Sequence, residues 1–278
     1  MTTSTPFASR ITSRFWADHT TRDIAAMDRD RLIAVLPVGA TEQHGPHMPI
    51  STDFATIDGV VAATVPKLPA ELPVLFLPTL PFGKSNEHSR YPGTVTLSAT
   101  TLIQVWMDIG ASIARSGVKK FMLFNAHGGQ MSVMDIVTRD LRERHGLMVV
   151  AANWYTLGLP PGLFGAAEIE HGIHAGDLET SVMLALEPRT VQLAHAQRFE
   201  SLTERLAREN TFLSITPRGK IGWQTQDLNP LGACGDATLA TAEKGQAVLD
   251  FVSSRFVELL QEVDRYDLGR LGNEPAFA

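Results

Sequence analysis

The sequence predicts an α/β fold, a mostly parallel sheet with helices on both faces. Three observations carry that prediction. Short apolar runs alternate with longer stretches of helical spacing. The runs pass into loops of Gly, Pro or polar residues. The order strand, helix, strand, helix, strand also demands crossover connections, which make neighbouring strands parallel. No repeat, low-complexity tract or Pro/Gly/Ser linker divides residues 1–278, so a single domain is expected.

Taken in order, residues 32–36 form a continuous apolar run ended by Pro37 and Gly39, the pattern of a buried strand entering a loop. Residues 52–65 have helical spacing, with Ser51 or Thr52 available as a cap and Pro66 closing the element. Residues 74–77 make a second strand, before a Pro/Gly-rich loop that runs to Pro92. Residues 98–116 read as a helix with Ser98 at its N-cap and Gly117 just past its end. Residues 119–124 are a third strand leading straight into Asn125-Ala126-His127-Gly128-Gly129. A helix over 130–145 stops at Gly146, and 147–153 form a fourth strand. Beyond Pro188 the pattern weakens to a short helix at 202–210, turns over 217–235 and a long helix at 239–266.

Composition narrows the function. With 44% hydrophobic and 19% charged residues the chain is globular rather than disordered. Lys and Arg number 24 against 30 Asp and Glu, a net charge of −6 without any basic run, so nucleic acid is not an expected partner. Cys234 is the sole cysteine; it excludes an internal disulfide and fits a reducing compartment. The first 30 residues hold no continuous apolar segment and no later stretch reaches about 18 apolar residues, so a cytoplasmic protein independent of membranes is expected.

Ligands on parallel sheets bind at the C-terminal ends of the strands, and polar clusters follow these strands. The first is Thr41-Glu42-Gln43-His44-Gly45-Pro46-His47, with Asp53 downstream. Extended backbone would point Glu42 and His44 to one side, and Asp53 at the start of the next helix could return a carboxylate to them. Such a set suits Zn²⁺ or Mn²⁺; equally, His44 could bond a loop carbonyl and Asp53 cap a helix. In the second cluster His127 precedes Gly128 and Gly129, which let the backbone pass close to a ligand. The third places His171, His174, Asp177 and Glu179 within nine positions. On a helix Asp177 and Glu179 do not share a face, so at most one joins the others. His174 could then serve as acid–base and Glu179 as ligand, or the reverse. Convergence of the three clusters suggests two divalent ions sharing one carboxylate, for which Asp53 is the choice. With no cysteine involved, the ligands are N and O only, suiting Zn, Mn or Fe.

These segments resemble the creatininase (creatinine amidohydrolase) family. The resemblance is carried by residues 36–47 with Asp53, by Gly83-Lys84-Ser85-Asn86-Glu87-His88, by Tyr91-Pro92-Gly93-Thr94, and by residues 125–130 and 174–181. It ends at Gly235-Asp236 and residues 240–245, and so spans nearly the whole chain. It implies a three-layer α/β/α sandwich, a binuclear metal centre and hydrolysis of a C–N bond. By position, Glu42 and His127 would hold one ion, His44 the other, and Asp53 would bridge. His174 would transfer a proton, with Asp177 a second catalytic candidate. Ser85, His88, Gly128 and Gly129 would lie beside the substrate, and a homo-oligomer, a hexamer, is implied.

Two departures qualify the resemblance. Creatinine-cleaving members carry Tyr-Glu where this chain has Gly128-Gly129, so the second ion needs another carboxylate: Glu179, with Asp177 behind it. Those members also place Trp four residues before the histidine matching His174, where this chain has Glu170. The expected reaction is hydrolysis of a small amide, lactam or cyclic amide by water activated between two ions. The alternatives are a formamide deformylase or peptide-cleaving branch, or a non-catalytic metal-binding scaffold. A nucleotide formamide would need a phosphate site, for which only Arg90, Arg218 and Lys220 lie near candidate loops.

Overall fold

The apolar run after Arg31 becomes β1 (Ile33–Val38), whose six residues are all buried. The structure, a computed structural model, describes residues 13–215, 219–272 and 275–277; Arg218 lies outside them. A short α1 (Thr21–Ala26) precedes β1; α2 (Thr52–Thr64), β2 (Val74–Phe76), α3 (Ala99–Arg115), β3 (Lys120–Asn125), α4 (Met131–His145) and β4 (Met148–Asn153) follow. Then come α5 (Ala166–His171), α6 (Asp177–Leu186), β5 (Arg198–Phe199), α7 (Leu202–Glu209), α8 (Thr225–Leu228), β6 (Gly235–Asp236) and α9 (Ala242–Arg265).

The main sheet has the order β2-β1-β3-β4 with every pair parallel. Alternate residues of a strand face opposite sides, and the core divides accordingly. Ile33, Val35, Val74, Phe76, Met122 and Phe124 pack with α2, α6 and α9. Ala34, Leu36, Val38, Leu75, Phe121 and Leu123 pack with α3 and α4. The fold is therefore a three-layer α/β/α sandwich. The chain leaves β1 in one direction for β2 and crosses back to β3, so the strand order reverses between β1 and β3. That is where ligands bind in such sheets, and the register pairs Val38 with Asn125 at that edge.

Local chemistry sets the boundaries. Ser98 accepts a hydrogen bond from Thr101 N at 3.2 Å and caps α3, and Gly117 (φ 85°) turns the chain out of it. Gly146 (φ 65°) ends α4 in the same left-handed conformation. The start of α2 departs from expectation: neither Ser51 nor Thr52 caps it, because the Thr52 hydroxyl donates to the Pro49 carbonyl at 2.7 Å. The last helix begins at Ala242 rather than 239; a 3₁₀ turn over Ala237–Leu239 comes first, and Thr241 caps α9 by accepting from Lys244 N. At its far end Lys120, a buried lysine on β3, donates to the carbonyls of Val263 and Asp264 at 2.9 and 2.6 Å. No helix among the described residues is long and apolar enough to cross a membrane.

Candidate metal centre

The loop after β1 and the loop after β3 bring Glu42, His44 and His127 to the reversal point, and the first turn of α2 adds Asp53. The first turn of α6 adds Glu179. Asn125 shapes the second loop: its amide nitrogen donates to the His127 carbonyl at 2.6 Å while its oxygen accepts from His127 N at 2.9 Å. The two oxygens of Asp53 face different partners, Oδ1 lying 3.4 Å from His44 Nε2 and Oδ2 lying 3.2 Å from His127 Nδ1. Glu42 Oε1 is 3.3 Å from the same His127 nitrogen, and Glu179 Oε2 is 3.9 Å from His44 Nε2. Three trios thus gather ligand atoms within 4.8 Å of one another: Glu42, Asp53 and His127; His44, His174 and Glu179; and Glu42, His88 and His174.

Hydrogen bonds on the far side of each ring assign its free nitrogen. His44 Nδ1 donates to the Glu42 carbonyl at 3.0 Å, which turns the Nε2 lone pair toward Asp53 and Glu179. His127 Nε2 donates to the Lys84 carbonyl at 2.9 Å, which leaves Nδ1 for Glu42 and Asp53. His174 Nε2 donates to the Gln43 carbonyl at 2.8 Å, so its Nδ1 faces the cluster, 3.9 Å from Glu42 Oε1.

The residues fit a divalent cation on two grounds. Glu42 Oε2, His44 Nε2 and Asp53 Oδ2 are buried with no hydrogen-bond partner among the described residues, a costly arrangement unless something else satisfies them. The charges agree. Burial alone would depress His44, yet Asp53 beside it lifts it to about 9, and Glu42 and Asp53 likewise raise His127 well above the ordinary imidazole range against burial. Burial would raise Asp53, but the two imidazoles hold it well below the usual carboxylate range. Burial, with the negative charges of Asp53 and Glu42, pushes Glu179 up to about 7. The carboxylates draw protons onto both imidazoles, and a metal ion would supply that positive charge in their place.

Several expected residues are placed otherwise. Asp177 forms a 2.6 Å ion pair with Lys244 of α9 and accepts from the Ser181 hydroxyl at 3.1 Å, and it belongs to none of the ligand trios. His88 is buried rather than facing open space. Its Nδ1 accepts from the Gln43 amide at 2.8 Å, so its Nε2 hydrogen points to Glu42 Oε1 at 3.4 Å. Ser85 is fully buried on the outer edge of His127, Oγ 3.3 Å from Nε2. Gly128 is exposed, and a Cβ there would have only the Tyr155 hydroxyl within reach, at 3.8 Å. Glu170 is exposed and lies beside His171 at 3.8 Å. Lys220 and Arg90 are exposed as well.

Sequence reasoning missed three participants. Gln43 links the site's walls, its amide donating to His88 and to the Gly232 carbonyl at 2.9 Å while its oxygen accepts from Gly45 N. Glu87 stands behind His127, Oε1 3.5 Å from Nε2. Tyr155, beyond β4, is pushed by burial to a pKa of about 12. Gln43 and Glu87 both lie inside the segments quoted above, which was the available signal.

The sequence profile described as creatinine amidohydrolase matches residues 17–260. The chain belongs to the creatininase family. It is a hydrolase of that family with candidate metal-ligand clusters at its centre. It is 31% identical over 221 residues to the mycofactocin precursor peptide peptidase of Mycolicibacterium smegmatis, covering 78% of this chain and 79% of that protein. Creatinine amidohydrolase of Pseudomonas putida is 33% identical over 197 residues, covering 64% and 72%. Among solved structures, a creatinine amidohydrolase (creatininase) superposes with TM-score 0.73 at 25% identity, covering 92% of this chain and all of that one. Creatininase has been solved in a Mn form and, as a variant, in a Zn–Zn form.

Proposed function

We propose that the chain hydrolyses the C–N bond of a small amide, lactam or cyclic amide with two divalent ions, Zn or Mn. The observation carrying this reading is the splitting of Asp53 between two imidazoles, Oδ1 toward His44 and Oδ2 toward His127. Glu42, His127 and Asp53 would hold one ion, and His44, Glu179 and Asp53 the other. Ions held there would acidify water and polarise an amide carbonyl. His174, neutral with Nδ1 unprotonated, would take a proton from the attacking water at Nδ1 and pass it to the leaving nitrogen. Its Nε2 is tied to Gln43, its Nδ1 faces the ligands, and burial together with the neighbouring imidazoles of His44 and His88 keeps its pKa well below the ordinary imidazole range. His88 donates to Glu42 and holds that carboxylate in place.

A second reading, cleavage of a peptide C–N bond, is favoured by the relatives named as peptidases and by the open volume at Gly128. The test is metal content and turnover on one preparation made without chelator, offered amides, lactams, formamides and short peptides. The expected result is about two ions per chain and turnover abolished by chelator. His174→Ala should lower kcat by about 10²–10⁴-fold with its metal content unchanged. One ion or none in the wild-type protein would overturn the two-metal reading, and loss of an ion in His174→Ala would make that residue a ligand.

A further inference from the structure

A buried carboxylate that the mechanism leaves unused stands on the far edge of a ligand histidine. Glu87 lies on the 3₁₀ turn Asn86–His88 and is 7% exposed. Lys84 Nζ lies 3.6 Å from its Oε2. Oε1 instead approaches His127, 3.5 Å from Nε2. That approach depends on glycine at 129: a Cβ built there would fall 1.7 Å from Glu87 Oε1 and 2.5 Å from His127 Nε2. No side chain fits at 129 while both neighbours keep these places.

We propose that Glu87 is the positioning residue of His127. It faces the Nε2 edge, whereas Glu42 and Asp53 face Nδ1, and it belongs to none of the ligand trios. The Lys84 carbonyl takes the Nε2 hydrogen at 2.9 Å; the Glu87 carboxylate 3.5 Å away, beside the Ser85 hydroxyl at 3.3 Å, favours that tautomer and makes Nδ1 a better donor to a metal ion. Outer partners of this kind are typically worth 10–100-fold in metal affinity.

The inference rests on the two-metal reading, and one experiment separates their failures. Zn²⁺ affinity is measured by chelator competition on the full chain for wild type, Glu87→Gln and Glu87→Ala, with the melting temperature of each zinc-depleted protein beside it. Glu87→Gln keeps the shape and the acceptor oxygen but not the charge. It should weaken one of the two ions by about 10-fold at an unchanged melting temperature, and Glu87→Ala should approach 100-fold. Both variants should still take two ions at saturating zinc. A wild type that binds two ions while both variants stay within about twofold of it overturns the positioning role. So does a Glu87→Gln protein that saturates at one ion, since Glu87 would then be a ligand. A wild type that binds no zinc removes the underlying reading instead.

Discussion

Asp177 and Glu179, two residues apart at the start of α6, meet opposite fates. Asp177 turns to Lys244 and Glu179 to His44 and the Ala175 amide, to which it lies at 2.6 Å. Helical geometry implies in advance that only one joins the site; which one depends on α9, a segment far along the chain. Asp177→Asn should therefore cost stability, about 2 kcal/mol since Lys244 keeps some water contact, and leave metal content intact. Glu179→Gln should do the reverse, lowering the ion count with little loss of stability when the metal-free proteins are compared. Thermal melts and elemental analysis on both variants check the pair, and a metal-deficient Asp177→Asn protein would contradict the assignment. Glu42, His44 and His127 were legible because each follows a strand by a few residues, and Asp53 because it opens the next helix. Glu87 was not, since nothing in its spacing says that the loop at 83–88 folds over His127.

At the scale of elements, alternating apolar runs made all four main strands legible to within two residues. The caps were less so. The start of α2 looked like an ordinary Ser/Thr cap, but the same turn must present Asp53 to the ligands, and the Thr52 hydroxyl is diverted to Pro49. Gly39 sets how closely that turn approaches β1, because a Cβ there would lie 2.7 Å from the backbone N and Cα of Phe54. Gly39→Ala should push the first turn of α2 outward, costing about 1–3 kcal/mol as overpacking does, and should weaken metal binding by moving Asp53. A variant with unchanged melting temperature and zinc affinity would show the contact to be soft.

For the whole molecule, the proposed ligands Glu42, His44, Asp53, His127 and Glu179 come from the loops after β1 and β3 and the first turns of α2 and α6. A bound ion therefore ties the layer of α2, α6 and α9 to the sheet. Ions present at a hundred times their dissociation constant contribute about 2.7 kcal/mol each. Exhaustive chelation should lower the melting temperature by several degrees, and added Zn²⁺ or Mn²⁺ should restore it; identical calorimetric scans in chelator and in metal would contradict this. The order of layers could be read from the sequence, and after Pro188 so could α7 and α9, but the two-residue strands β5 and β6 could not, because they pair across more than thirty positions. Lys120 adds a consequence at the opposite end of the sheet. Its ammonium is sealed against the last carbonyls of α9, and burial lowers its pKa. An acylating reagent can reach that amine only when α9 lifts from β3. The rate at which Lys120 is labelled is then a clock for the detachment of the C-terminal helix, readable in the native protein by mass spectrometry.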